Sequence, residues 1–131
     1  MRILPILALL ALLPAASASA LEMTDELQQA IDCSAAEAVL GVAAKSAAEE
    51  NPDRAKVAEQ LDKSGQRWLF HAVGLVSDDD SQPVLDAFKA RAKEFTDSVV
   101  SGSTADEMHA LIESCSAAEK EIFGTSYSEL E

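Results

Sequence analysis

Aromatic, basic, cysteine and histidine side chains are all scarce in this chain. Four Phe, one Trp and one Tyr make up 5% of 131 residues, and 10 Lys plus Arg stand against 23 Asp plus Glu, a net charge of −13. That balance leaves no basic footprint for nucleic acid and disfavours anionic membrane surfaces. With only five Gly and four Pro, collagen-like and Pro/Gly-rich low-complexity classes are excluded. Two cysteines and two histidines leave little material for a metal site. There is no Cys-x-x-Cys pair, no Cys-x-x-Cys-His haem attachment and no Gly-rich phosphate loop. The serines have no histidine and carboxylate in a pattern that marks a nucleophile. The sequence therefore reads as a non-catalytic protein with no cofactor and no metal ligands.

What is present is apolar: 48% of residues are hydrophobic, enough to fold one domain. The distribution is uneven. Met1-Arg2 supplies a positive charge, Ile3 to Leu13 is an almost unbroken apolar run, and Ala18-Ser19-Ala20 offers small residues before a cut. This is the pattern of a cleaved secretory signal peptide. The run is far shorter than the roughly 20 apolar residues of a membrane span. The expectation is a signal peptide over 1–20, cleaved after Ala20 (with a second small-x-small site ending at Ala18), and one domain over 21–131. A short leader rich in Ala and Leu points to the periplasm, with the extracellular medium as the alternative. No other segment approaches spanning length.

Four helical patterns follow, separated by turn chemistry. Thr24 is positioned as an N-cap ahead of Asp25 and Glu26, and Leu27, Ile31, Ser34, Ala38 and Val42 line a face. Asn51-Pro52 opens a second helix with the stripe Val57, Leu61, Ser64, Trp68, Ala72 and Leu75. After the polar connector Ser77 to Pro83, with Asp80 or Ser81 as cap, the third carries Leu85, Phe88, Ala92, Phe95 and Val99. Thr104 to Glu107 has capping-box spacing, and Met108, Leu111, Cys115, Ala118 and Ile122 continue the pattern to Gly124. Thr125 to Glu131 reads as a short tail. Four helices with short connectors favour an all-α, antiparallel, up-down-up-down four-helix bundle. The segment Cys33-Ser34-Ala35-Ala36-Glu37 recurs as Cys115-Ser116-Ala117-Ala118-Glu119. Because the two copies fall in helices expected to run in opposite directions, the repeat reads as shared composition.

Cys33 lies nine residues after Thr24, and Cys115 nine residues before Gly124. At about 1.5 Å per residue, each is roughly 13 Å from the same end of such a bundle. A disulfide between them would close a loop of roughly 80 residues, for which chain entropy gives about 4.5 kcal/mol. His71 and His109 fall at opposite heights, too far apart to share a zinc or a haem. Met23 is too close to the expected new N-terminus to serve as a haem ligand. Asp78-Asp79-Asp80 lacks the alternating ligands and central Gly of a calcium loop and reads as a solvated turn.

One stretch brings cationic, aromatic and titratable groups together: Arg67, Trp68 and His71, with Phe70 beside them. It is the candidate ligand-binding corner for a small anion or aromatic, against the plainer reading that Trp68 fills the core while Arg67 meets a carboxylate. The leading functional expectation is a periplasmic interaction or accessory protein that meets a protein or cationic peptide through an exposed face. A small-ligand binding or sensing bundle is the second, and an acid-responsive periplasmic chaperone, whose carboxylates discharge near pH 4, is the third.

Overall fold

The computed structural model describes residues 21–102 and 105–131. The described residues form four α-helices: α1 (Asp25–Ala47), α2 (Asp53–Gly74), α3 (Ser81–Ser101) and α4 (Ala105–Phe123). No strand occurs among the described residues. The all-α expectation holds, and Cys33 and Cys115 are joined, with their Cα atoms 5.7 Å apart. The leader expected over 1–20 and the capping role expected of Thr104 lie outside the described residues.

The helix starts show which local signals act. The Thr24 hydroxyl accepts the Leu27 amide at 3.2 Å, satisfying one of the orphan donors at a helix N-terminus. The Asn51 side-chain oxygen accepts the Asp53 amide at 3.2 Å, while the Asn51 carbonyl takes the Arg54 amide at 3.0 Å. At α3 neither Asp80 nor Ser81 caps. Asp78–Asp80 instead coil into a 3-10 turn that feeds directly into the helix, and the Ser77 hydroxyl bonds the Asp80 carboxylate. Gly102 closes α3 at φ 69°, a left-handed conformation that costs a residue with a Cβ about 1–2 kcal/mol.

Helix α1 is the hub: it packs most extensively on α2, then on α3, then on α4. Its middle is buried around nearly the whole circumference, from Ala30 to Glu37, with only Asp32 partly open. Small side chains make this feasible, because they let neighbouring backbones approach. A Cβ at Gly65 would stand 3.3 Å from the Ser34 carbonyl oxygen, and the Ser34 hydroxyl donates to the Gly65 carbonyl at 2.8 Å. Gly65 therefore lets α1 and α2 approach closely at this point.

The core falls into two clusters. One gathers Leu27, Ile31, Trp68, Ala72 and Val84 around the disulfide. The other places Ala35 and Ala36 against Phe95, Met108 and Ile112. None of the four expected seams runs to its end: Val42 of α1 is 69% exposed, Leu75 after α2 38%, Val99 of α3 41% and Ile122 of α4 42%. The fully buried α3 residue is Val84, which the expected stripe passes over. Val42 and Val99 fall where a groove opens between α1 and α3, which leaves their faces incompletely covered.

The C-terminal segment is docked and is not a loose tail. Gln60 donates to the carbonyls of Ser128 and Leu130 at 3.0 and 2.8 Å, and Lys63 reaches the Glu131 carbonyl at 2.9 Å. Tyr127–Glu129 form a further 3-10 turn against α2.

Candidate functional site

Two features bear on function: a buried carboxyl pair beside the disulfide, and an apolar cleft beyond the second core cluster. The carboxyl pair comes from the repeated segments. Glu37 and Glu119 each stand one helical turn after a bridged cysteine. Long helical side chains lean back toward the N-terminal end of their own helix, so both carboxyls return to the level of the disulfide. Both are fully buried. The repeat that reads as composition thus marks two structural pairings, cysteine with cysteine and glutamate with glutamate.

The two carboxyls have different surroundings. Glu119 accepts the Ser64 hydroxyl at 3.0 Å, the Trp68 indole N–H at 3.0 Å and the Tyr127 amide at 2.8 Å. Arg67 lies 4.0 Å away. Three donors and a guanidinium thus converge on this one carboxyl group. Neither oxygen of Glu37 accepts a hydrogen bond, because the one Ser64 proton is committed to Glu119. Burial first, and then Glu119 as hydrogen-bond partner and neighbouring charge, push the Glu37 carboxyl up to about 9, against a weaker pull from Ser64 and Arg67. At neutral pH Glu37 is therefore held as a neutral acid beside Glu119. Burial, with Glu37 and Glu119 nearby, also raises the Tyr127 phenol, so it stays protonated.

The corner Arg67, Trp68 and His71 does assemble, around Phe123 of α4. Trp68 and Phe123 meet edge to face at 5.0 Å, His71 and Phe123 at 5.5 Å, and the Arg67 guanidinium lies 4.3 Å over the Phe123 ring. Arg67 donates to the Thr125 hydroxyl at 3.0 Å and to the Thr125 carbonyl at 2.9 Å. Trp68 is fully buried, with its polar edge on Glu119. The groups a small anion or aromatic would use are thus directed at the chain's own C-terminal segment.

The cleft holds about 500 Å³, within the range of small-molecule sites. It lies between the last turns of α1 (Leu40 to Ala47), the start of α2 (Arg54 to Leu61), the end of α3 (Ser98 to Gly102) and the start of α4 (Met108 to Ile112), with Tyr127 also in its wall. Its surface is mostly aliphatic. Ala43 and Val99 also line a shallow groove with Val42 and Val100, so the apolar floor continues outward between α1 and α3. Sequence reasoning passes over this site because its lining looks like ordinary core pattern.

Among the described residues no group of His, Cys, Asp and Glu side chains is arranged to hold a metal ion, and no helix is long and apolar enough to cross a membrane. His71 and His109 sit in separate surroundings: His71 between Trp68 and Phe123, His109 against Glu113 at 3.3 Å. No protein-family model matches the chain, and comparison with curated proteins and with solved structures finds no similar protein.

Proposed function

We propose that this is an exported, non-catalytic binding protein of the periplasm, an antiparallel four-helix bundle that holds a small apolar ligand in the cleft. The observation that carries this reading is the cleft itself, an aliphatic space of about 500 Å³ in a protein with 23 acidic residues. Apolar concavities of this size are the usual form of small-molecule sites. The antiparallel arrangement is supported by the α1–α2 contact: Gly65 lies against Ser34 and Ala38, and Gly41 against Ala58 and Asp62. The joined cysteines fit an oxidising compartment, and the leader-like first 20 residues fit export into one. The ligand-binding reading is thereby favoured over recognition through an outer face, with the site at the cleft and not at Arg67, Trp68 and His71.

Nile red, an uncharged dye that brightens in apolar surroundings, tests the cleft. Added to protein purified after export of the full chain, it should brighten on binding. Ala43→Trp, at an exposed α1 position that lines both the cleft and the groove, should plug the space and abolish the signal. Equal brightening in the variant, or none in the unsubstituted protein, rejects the reading.

A further inference from the structure

The charge around the cleft is the reverse of the charge on the molecule. No aspartate or glutamate is among the lining residues described, although acidic residues outnumber basic ones by 23 to 10. The other polar hollows differ: one carries Glu59 and Asp62 beside Lys45, another Glu22 and Asp80. Two lining groups can be positive, Arg54 and His109. His109 already faces the Glu113 carboxylate at 3.3 Å. Arg54 is in no ion pair among the described residues, whereas Arg67 and Arg91, the other arginines described, are both engaged.

We infer that the occupant is a free fatty-acid anion, its chain along the aliphatic floor and its carboxylate at Arg54. The inference rests on the reading of the cleft as a ligand site and adds the chemical class. An uncompensated guanidinium beside aliphatic surface matches one negative head on an apolar body, because the planar fork of donors fits a carboxylate in a bidentate manner. The shape points the same way. The floor runs past Ala43 and Val99 into the groove lined by Val42 and Val100, an extension suited to a single acyl chain. A cationic amphiphile would place its charge against Arg54 with no carboxylate lining the site to offset it. The cleft therefore selects the charge sign opposite to the one the overall −13 attracts.

Displacement of Nile red by three ten-carbon probes separates the possibilities: decanoate, decan-1-ol and decyltrimethylammonium, each below its aggregation limit at pH 8. Decanoate should displace the dye at the lowest concentration and the cation at the highest. Arg54→Gln, at an exposed position, should weaken decanoate about tenfold, the effect of one charge-assisted hydrogen bond. It should leave decan-1-ol within twofold. Equal potency of decanoate and decan-1-ol, with Arg54→Gln neutral toward both, overturns the fatty-acid inference while dye binding keeps the cleft as a site. Loss of dye binding by the unsubstituted protein would instead remove the site itself. Co-sedimentation with phosphatidylglycerol vesicles that depends on Arg54, with no displacement by free decanoate, would assign the cleft to a membrane lipid and overturn the inference.

Discussion

The two core clusters are built to different standards. Around the disulfide, Leu27, Ile31, Trp68, Ala72 and Val84 are all at most 1% exposed, and the Glu119 oxygens are met by three donors. The second cluster has no cross-link, its three large members Phe95, Met108 and Ile112 each keep some exposure, and a cleft opens beside it. A short helical chain has limited apolar surface to bury. This one places its covalent link and its only tryptophan in one region, and so can leave another incompletely packed. Stability and the candidate binding surface are separated along the same helices.

Removing the cross-link attacks that division most strongly. Cys33→Ala with Cys115→Ala should cost about 4.5 kcal/mol by the chain-entropy argument, read as a fall in denaturant midpoint. Loss of less than about 1 kcal/mol would mean that the well-packed region does not depend on its bridge. Thiol titration of the denatured, unreduced protein should find no free cysteine, since both are bridged. Next comes Glu119→Ala, which strands the Trp68 indole N–H, the Tyr127 amide and the Ser64 hydroxyl in a buried site and leaves Arg67 without its carboxylate. Breaking a buried charged network from one side costs about 3–4 kcal/mol. Trp68 fluorescence should shift in the same variant, because Glu119 holds its polar edge. An unmoved spectrum and midpoint would show that the donors find water or one another.

Much of the better-packed region is legible in the sequence. The heights of Cys33 and Cys115 follow from counting residues from Thr24 and from Gly124, and the stripe through Leu61, Ser64, Trp68 and Ala72 is buried as its spacing implies. Periodicity works there because neighbours cover those four positions. It fails at Val42, Leu75, Val99 and Ile122, which have the right spacing and remain exposed, since spacing marks a face without saying whether a neighbour reaches it. The carboxyl pair is hidden for another reason. A glutamate in a helix is ordinarily solvated, and nothing local distinguishes Glu37 from Glu49. The recurrence of Cys-Ser-Ala-Ala-Glu was the available signal. It becomes informative once the two cysteines are level, because side chains leaning toward their own N-termini then carry both glutamates back to one place. Docking of the last seven residues depends on Gln60, Lys63 and Arg67, whose backbone-carbonyl partners leave no trace in the pattern of side chains.

The carboxyl pair also makes the two regions respond differently to pH. The folded-state value of Glu37 is raised from the ordinary 4.5 to about 9, so the folded chain holds a proton that the unfolded chain has released. Its contribution to stability is intact below about pH 4.5 and is lost progressively as pH rises toward 9. The limiting slope for one proton is about 1.4 kcal/mol per pH unit. Glu37→Gln keeps the side chain's size, is uncharged at every pH and removes the titration. It should match the unsubstituted protein near pH 5 and exceed it at pH 8 by on the order of 2 kcal/mol, after allowing for relaxation around a buried charge. Between pH 7 and 9 few other groups titrate, so the difference in slope between the two proteins isolates Glu37. Parallel stability curves across that interval would mean that Glu37 is ionised in the folded state. Nile red binding at the cleft should be the same in both proteins.

The smallest expected effect on stability is at the cleft region's outer edge. Val42 is 69% exposed and Val100 is 84% exposed, so Val42→Ser with Val100→Ser removes little buried area and should change unfolding stability by less than about 0.5 kcal/mol. Both side chains border the groove that continues the cleft floor. If that floor carries a ligand's chain, the same pair should weaken decanoate binding severalfold, since each lost methyl contact is worth a fraction of about 0.8 kcal/mol. Stability and binding then move independently, as a separation of the two regions requires. Should the double variant lose more than about 1 kcal/mol of stability, Val42 and Val100 would be holding α1 to α3, and the groove would be part of the packing after all.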